Sequence, residues 1–378
     1  MNESKDISKK LLAALLVFTV LLIVSFVLLY FVSKRQSALE GADSSVRLSA
    51  QSGFSCEFAE AQKLFPFCDG VMKVTGDRIA YLTSSGSEVY SYSVDYSNPN
   101  CFIRGKYCIV ADIDGYNFSV YDSEKQVYIK STSDKIKSCC LSDQCFSAIV
   151  MDSKEAYGQV TIFDSNGNFI ANCISNDSGF PVACEFNGDS SMLAITTLNT
   201  NGAVIKPYIK LLSIEYDKRE KYTAQDHAVY SVEDSEILAS LCFCKNRFLT
   251  FSGDKAYAVT SNEVSALELG FGAFNYCFSV GNNIFMIYSD GVGRVNKLAV
   301  IDSANNIVYD SLLGGTVNAY GVDSGRAVIS VDRRIFVFNA DGNLVSDISV
   351  DEDVLKVGFV GSDKVLAVST SGVHTYNY

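Results

Sequence analysis

The 378-residue chain has no Trp, only two His and only four Pro. Two histidines leave little material for a His-based catalytic or metal site. Four prolines rule out a proline-rich linker protein. Positive charge is also scarce. Residues 1–35 hold five Lys/Arg and two acids, leaving 26 basic against 41 acidic residues in the remainder. A surface that acidic repels phosphate backbones, so nucleic acid is excluded as a partner. What the chain does have is 48% hydrophobic content with 21 Tyr and 24 Phe, enough to bury a large core and to exclude general disorder.

One uncharged run stands apart. Leu11 to Val32 reads LLAALLVFTVLLIVSFVLLYFV. As a helix of 1.5 Å rise per residue it would reach about 33 Å, enough for the ~30 Å hydrocarbon core of a bilayer. It is too long for a cleaved signal peptide, and charged Lys34 and Arg35 follow it where a small-residue cleavage site would be needed. The reading is a cytoplasmic tail at 1–10, a transmembrane helix at 11–32 and a polar tether at 33–44. The flanking charges nearly cancel. A short N-terminus before a first apolar helix sets the expected orientation, N-terminus inside and the following domain outside the cytoplasm.

Beyond the tether, no amphipathic helix longer than two turns is evident. Short runs of Val, Ile, Phe and Tyr alternate with Gly, Asn, Asp and Ser, the pattern of strands and turns. One segment recurs: NFSVYDSEKQVYI from Asn117, QVTIFDSNGNFIA from Gln159, LSIEYDKREKYTA from Leu212, KLAVIDSANNIVY from Lys297 and RIFVFNADGNLVS from Arg334. The turn residue falls at Asp122, Asp164, Asp217, Asp302 and Asn339, with a degenerate copy near Thr260. The mean step is about 43 residues, the size of a four-stranded propeller blade. Asp and Asn recur there because a short side-chain acceptor can hold backbone N–H groups two or three residues on. They are structural, not catalytic.

A second recurring feature is a tight hairpin, centred near residues 76, 105, 143, 188, 245, 281, 324 and 361. Eight hairpins indicate an all-β fold, a β-propeller of about eight four-stranded blades over residues 45–378. Seven is the alternative if one unit is irregular. The last unit has room for three strands, so the fourth is expected from SVRLSA at 45–50, closing the ring and removing its free edges.

Across residues 65–378 the sequence resembles a domain-of-unknown-function family of membrane-anchored bacterial β-propellers of WD40/PQQ-like repeat type, common in anaerobic Gram-positive bacteria. The matching stretches are DRIAYLTSSGSEVYSYS from Asp77, YSNPN from Tyr96, GQVTIFDSNGNFI from Gly158 and ACEFNGDSSMLAITTLNTNGA from Ala183. The resemblance implies an N-terminal helix, a propeller and display outside the cytoplasm; it implies no reaction. The departures are the many cysteines and some long loops.

All twelve Cys follow the apolar run. Two pairs have hairpin placement suited to disulfides: Cys140 with Cys145, if Ser142-Asp143 is a two-residue turn, and Cys101 with Cys108 around Arg104-Gly105. The other reading is free thiols serving as small apolar residues on inner strands. No Cys-x-x-Cys pairs occur, and no catalytic, cofactor-binding or metal residue is assigned. DSNGN at 164–168 and ADIDGYN at 111–117 lack the spacing of a calcium loop and read as turns. His227 and His374 lack the setting of a Ser-His-Asp arrangement. Adjacent Cys139 and Cys140 suggest an eight-bladed quinoprotein dehydrogenase, but those enzymes dock their blades with Trp, which is absent.

The expected function is therefore a non-enzymatic protein-binding or scaffold module of the cell envelope. It would be held by one helix in the lipid bilayer, with an envelope protein as partner and no cofactor. The alternatives are a hydrolase-type propeller enzyme or a ligand sensor, with a site at the central channel.

Overall fold

In the computed structural model the described residues are 46–47, 50, 52–217, 221–233, 236–289, 296–323 and 325–378. Leu48–Tyr378 forms one compact unit; of Met1–Arg47, only the short strand Val46–Arg47 is described. The apolar run 11–32 and the tether lie outside the described residues. Among the described residues, no helix is long and apolar enough to cross a membrane.

The strands of Leu48–Tyr378 sort into eight antiparallel sheets of four. Seven are consecutive in sequence, beginning at Leu64, Pro99, Ile136, Phe180, Ser240, Ala273 and Val317, and are called blades 1 to 7 here. Blade 8 combines Val354–Val360, Lys364–Ser369 and Gly372–Asn377 with Ser52–Ser55. The first strand of each blade lies innermost, and neighbouring first strands follow one another round to the start, where Val354–Val360 meets Leu64–Phe67. The fold is an eight-bladed β-propeller.

Burial explains the sequence pattern. The second strands sit between neighbouring blades on both faces and are buried almost throughout: Ser147–Met151 and Arg247–Ser252 are buried at every position. The fourth strands have one free face and alternate, as in Ile307–Leu312. Eight separate apolar clusters fill the eight seams between blades. The seam between blades 6 and 7 packs Phe285, Val300, Ile329 and Phe338. Each fully buried side chain of this size contributes about 1.5–3 kcal/mol. Phe and Tyr take the docking role that Trp would otherwise fill.

Two expectations need correction. The closing strand is not 45–50 but Ser52–Ser55, which pairs antiparallel with Gly372–Thr375. Gly53 explains the choice. A Cβ there would lie 1.9 Å from the Val373 carbonyl oxygen, so this close approach demands glycine. Phe54 then packs against the cluster between blades 8 and 1, and Ser52 Oγ meets Thr375 Oγ1 at 2.6 Å. The second correction concerns blade 1. Seven of the eight expected hairpins join first and second strands, but the one near residue 76 joins the second and third, Gly70–Val74 and Arg78–Thr83. The first hairpin of blade 1 turns at Cys68, whose φ is +47°. The third and fourth strands of blade 4 form a long hairpin, Lys206–Tyr216 with Tyr222–Ser231.

Candidate functional site

The recurring turn residues lie between third and fourth strands, on the outer part of the blades. Asp164 Oδ1 accepts the N–H groups of Asn166 and Asn168, both at 2.8 Å, while its Oδ2 accepts from Asn168 Nδ2 at 2.9 Å. Asp302 repeats this with Ala304 and Asn306. Asp122 holds Glu124 and Lys125, and Asn339 holds Asp341 and Asn343. Asp217 accepts from Lys221 N–H at 3.2 Å. In blade 5, Thr260 Oγ1 takes the same place, receiving Asn262 and Glu263 at 3.3 and 3.2 Å. These groups organise turns and share no pocket.

The chemically distinctive residues gather instead on the channel-lining first strands. Arg104 ends the first strand of blade 2, Pro99–Arg104. Its Nε binds Asp143 Oδ1 of the blade 3 hairpin at 3.0 Å, and Nη1 lies 2.9 Å from Glu185 Oε1 in Phe180–Phe186 of blade 4. One guanidinium thus ties three blades. Burial pushes the Glu185 carboxyl up to about 7, with the Arg104 charge opposing it. Burial also disfavours the Arg104 charge, but Glu185 and Asp143 more than offset that and its pKa rises. Across the ring, Lys356 in Val354–Val360 lies over the Phe65 ring at 3.7 Å. Its Nζ donates to the carbonyls of Gln62 and Leu64 at 2.5 and 2.7 Å. Burial lowers its pKa to about 8. It joins blade 8 to blade 1.

Seven of the twelve cysteines lie on the same strands: Cys101 in blade 2, Cys139 and Cys140 in blade 3, Cys184 in blade 4, Cys242 and Cys244 in blade 5 and Cys277 in blade 6. All twelve are free thiols. Cys140 does not face Cys145. The turn runs from Ser142 to Phe146, longer than two residues, so Cys140 pairs across the hairpin with Ala148. Cys145, at φ +68°, buries its side chain in the seam toward blade 2, whereas Cys140 enters the seam toward blade 4. There Cys140 Sγ lies 3.2 Å from Cys184 Sγ. A matching contact of 3.0 Å joins Cys242 of blade 5 to Cys277 of blade 6. Cys101 stands opposite Val110 and Cys108 opposite Ile103, yet both thiols enter the seam between blades 1 and 2 and are in hydrogen-bond contact there. Burial raises the Cys108 and Cys140 pKa values well above the ordinary thiol range. Among the described residues, no group of three or more His, Cys, Asp or Glu is arranged to hold a metal ion.

Both histidines lie elsewhere. His227 sits on the outer hairpin of blade 4, with Nδ1 3.1 Å from Ser213 Oγ and Nε2 2.9 Å from the Ser261 carbonyl. A backbone carbonyl, rather than a carboxylate, orients the ring. His374 is in the third strand of blade 8, and its Nε2 is buried with no hydrogen-bond partner among the described residues. The sequence signal that pointed toward these strands was the reading of the cysteines as small apolar residues on inner strands; Arg104, Glu185 and Lys356 carried none.

The first strands also expose large apolar side chains: Ile103 (41%), Phe180 (45%), Tyr276 (38%), Tyr320 (38%) and Val322 (43%). Tyr320 stacks on Phe278 at 4.3 Å and meets Tyr276 edge-on at 5.6 Å, forming an aromatic ledge between blades 6 and 7.

Solved structures resemble this fold. The crystal structure of BamB from Moraxella catarrhalis superposes with a TM-score of 0.53 at 11% identity, covering 87% of this chain and 100% of that one. Hydrazine synthase of Kuenenia stuttgartiensis reaches a TM-score of 0.47 at 8% identity over 72% of this chain and 92% of its own. At 11% identity the likeness to BamB is one of fold alone. No curated protein sequence matches the chain. A family model does, over residues 47–377, and the chain belongs to that family of unknown function, DUF5711.

Proposed function

We propose that this propeller is a surface-displayed scaffold, anchored in the cell membrane by the apolar run 11–32, that binds an envelope protein without catalysing a reaction. The observation carrying the binding role is the apolar lining of the channel strands, where Phe180, Tyr276, Tyr320 and Val322 remain exposed. Exposed aromatic side chains on a rigid ring suit protein contact, because they lose little side-chain freedom and displace much water on binding. A propeller holds such groups in place without a conformational change. The anchor reading rests on 22 uncharged residues followed by a basic pair.

The test is photo-crosslinking in native membranes, with a photoreactive residue replacing Tyr276 in the full chain and a second version carrying it at Glu124 on an outer turn. A reproducible protein adduct from position 276 but not 124 is expected, weakened by Tyr320→Ser. Equal or absent adducts at both positions would overturn the binding reading. Removing residues 1–35 should release the protein into the soluble fraction; continued membrane retention would sink the anchor.

A further inference from the structure

Two thiol contacts on the channel wall have a common construction. Cys140, Cys184, Cys242 and Cys277 each lie on the first strand of one of four successive blades, 3 to 6. They meet in twos across alternate seams, with Sγ–Sγ separations of 3.2 Å between blades 3 and 4 and 3.0 Å between blades 5 and 6. A thiol is a weak hydrogen-bond donor, so such contacts add little as hydrogen bonds. Filling a seam requires only a small apolar group. Sulfur meeting sulfur at both seams goes beyond that need. Forming the ~2.05 Å bond of a disulfide asks for an approach of about 1 Å.

We propose that these are two cross-blade dithiol sites that exchange reversibly with an external disulfide, of either a small molecule or a protein. The chemistry balances. The Cys277 thiolate attacks one sulfur of R–S–S–R, giving a mixed disulfide and releasing RS⁻, which takes up a proton. Cys242 then loses its proton and displaces the second RS⁻. The net change is two protein thiols plus R–S–S–R to one protein disulfide plus two RSH; the protein is oxidised and the external disulfide reduced. Cys277 is the entry point because it is half-buried, whereas Cys242, Cys140 and Cys184 are buried. The pair between blades 5 and 6 therefore oxidises first and that between blades 3 and 4 second. The new bonds tie residues 35 and 44 apart in sequence and pin covalently two seams that noncovalent contacts hold in the reduced ring.

The experiment incubates the folded full-length protein in a graded series of oxidised and reduced glutathione. It then blocks remaining thiols by alkylation and maps linked peptides by mass spectrometry without reduction. The expected result is a Cys242–Cys277 link appearing before a Cys140–Cys184 link, both reversed by dithiothreitol, with a higher melting temperature for the oxidised form. Cys277→Ser should abolish the first link and leave the second. Glutathione remaining on Cys277 unresolved would overturn the proposal. So would dominant Cys101–Cys108 or Cys140–Cys145 links, or links that form only after urea unfolding.

Discussion

Asp164 is buried and holds two backbone N–H groups at 2.8 Å, so its removal leaves donors short of partners. Asp164→Ala should destabilise the domain by about 1–3 kcal/mol. Thr260→Ala should cost less, because Thr260 holds its two donors at 3.3 and 3.2 Å at an exposed turn. Urea titration of both variants checks the order, and equal midpoints would refute it. Glu185 makes a different kind of prediction. Its folded pKa is raised from an ordinary 4.5 to about 7 by burial. Between those values the unfolded chain has released the proton while the folded chain retains it. Stability associated with this group is thus present below 4.5 and is lost as pH climbs to about 7, by at most ~1.4 kcal/mol per pH unit. Glu185→Gln removes the titration, so its melting temperature relative to the native protein should rise between pH 5 and 7.5. A difference that stays flat with pH would refute the assignment. The turn Asp was legible in sequence because its partners lie within four residues. Glu185 was not, since its partner Arg104 lies two blades away.

At the level of elements, period-two alternation and turn residues made the strands legible. The hairpins at 105, 143, 188, 245, 281, 324 and 361 are all first-to-second-strand turns, because local turn chemistry decides them. Blade 1 departs in that its first hairpin turns on Cys68 and Asp69, with Cys68 at φ +47°. The closing strand was misplaced as well. Both 45–50 and 52–55 are short and polar, and strand pattern alone cannot tell which one meets Gly372–Thr375. Gly53 supplies the decisive contact. Gly53→Val would drive a Cβ into the Val373 carbonyl and force a side chain onto φ +148°, costing about 1–3 kcal/mol in backbone strain before any loss of pairing. Faster limited proteolysis near residues 50–57 and a lower melting temperature are expected. Unchanged protection of that segment would show that another strand closes the ring.

For the whole molecule, eight seams each carry their own apolar cluster, so cohesion is distributed around the ring rather than held in one centre. Blade 8 is stapled to blade 1 by Lys356 and by Gly361 N–H donating to Asp69 at 2.8 Å, which completes the circle near the closing strand. The sequence by itself determined the all-β class, the repeat length and the role of the turn acids, and narrowed the blade count to seven or eight, because all of these follow from contacts within about forty residues. Only the tertiary structure decided that Ser52–Ser55 closes the ring, that Cys140 meets Cys184 instead of Cys145, and that Arg104 reaches Glu185. Alternation tells which face of a strand is buried. It does not tell which residue of the neighbouring blade waits on the other side, since that depends on how far each blade is rotated and packed against the next.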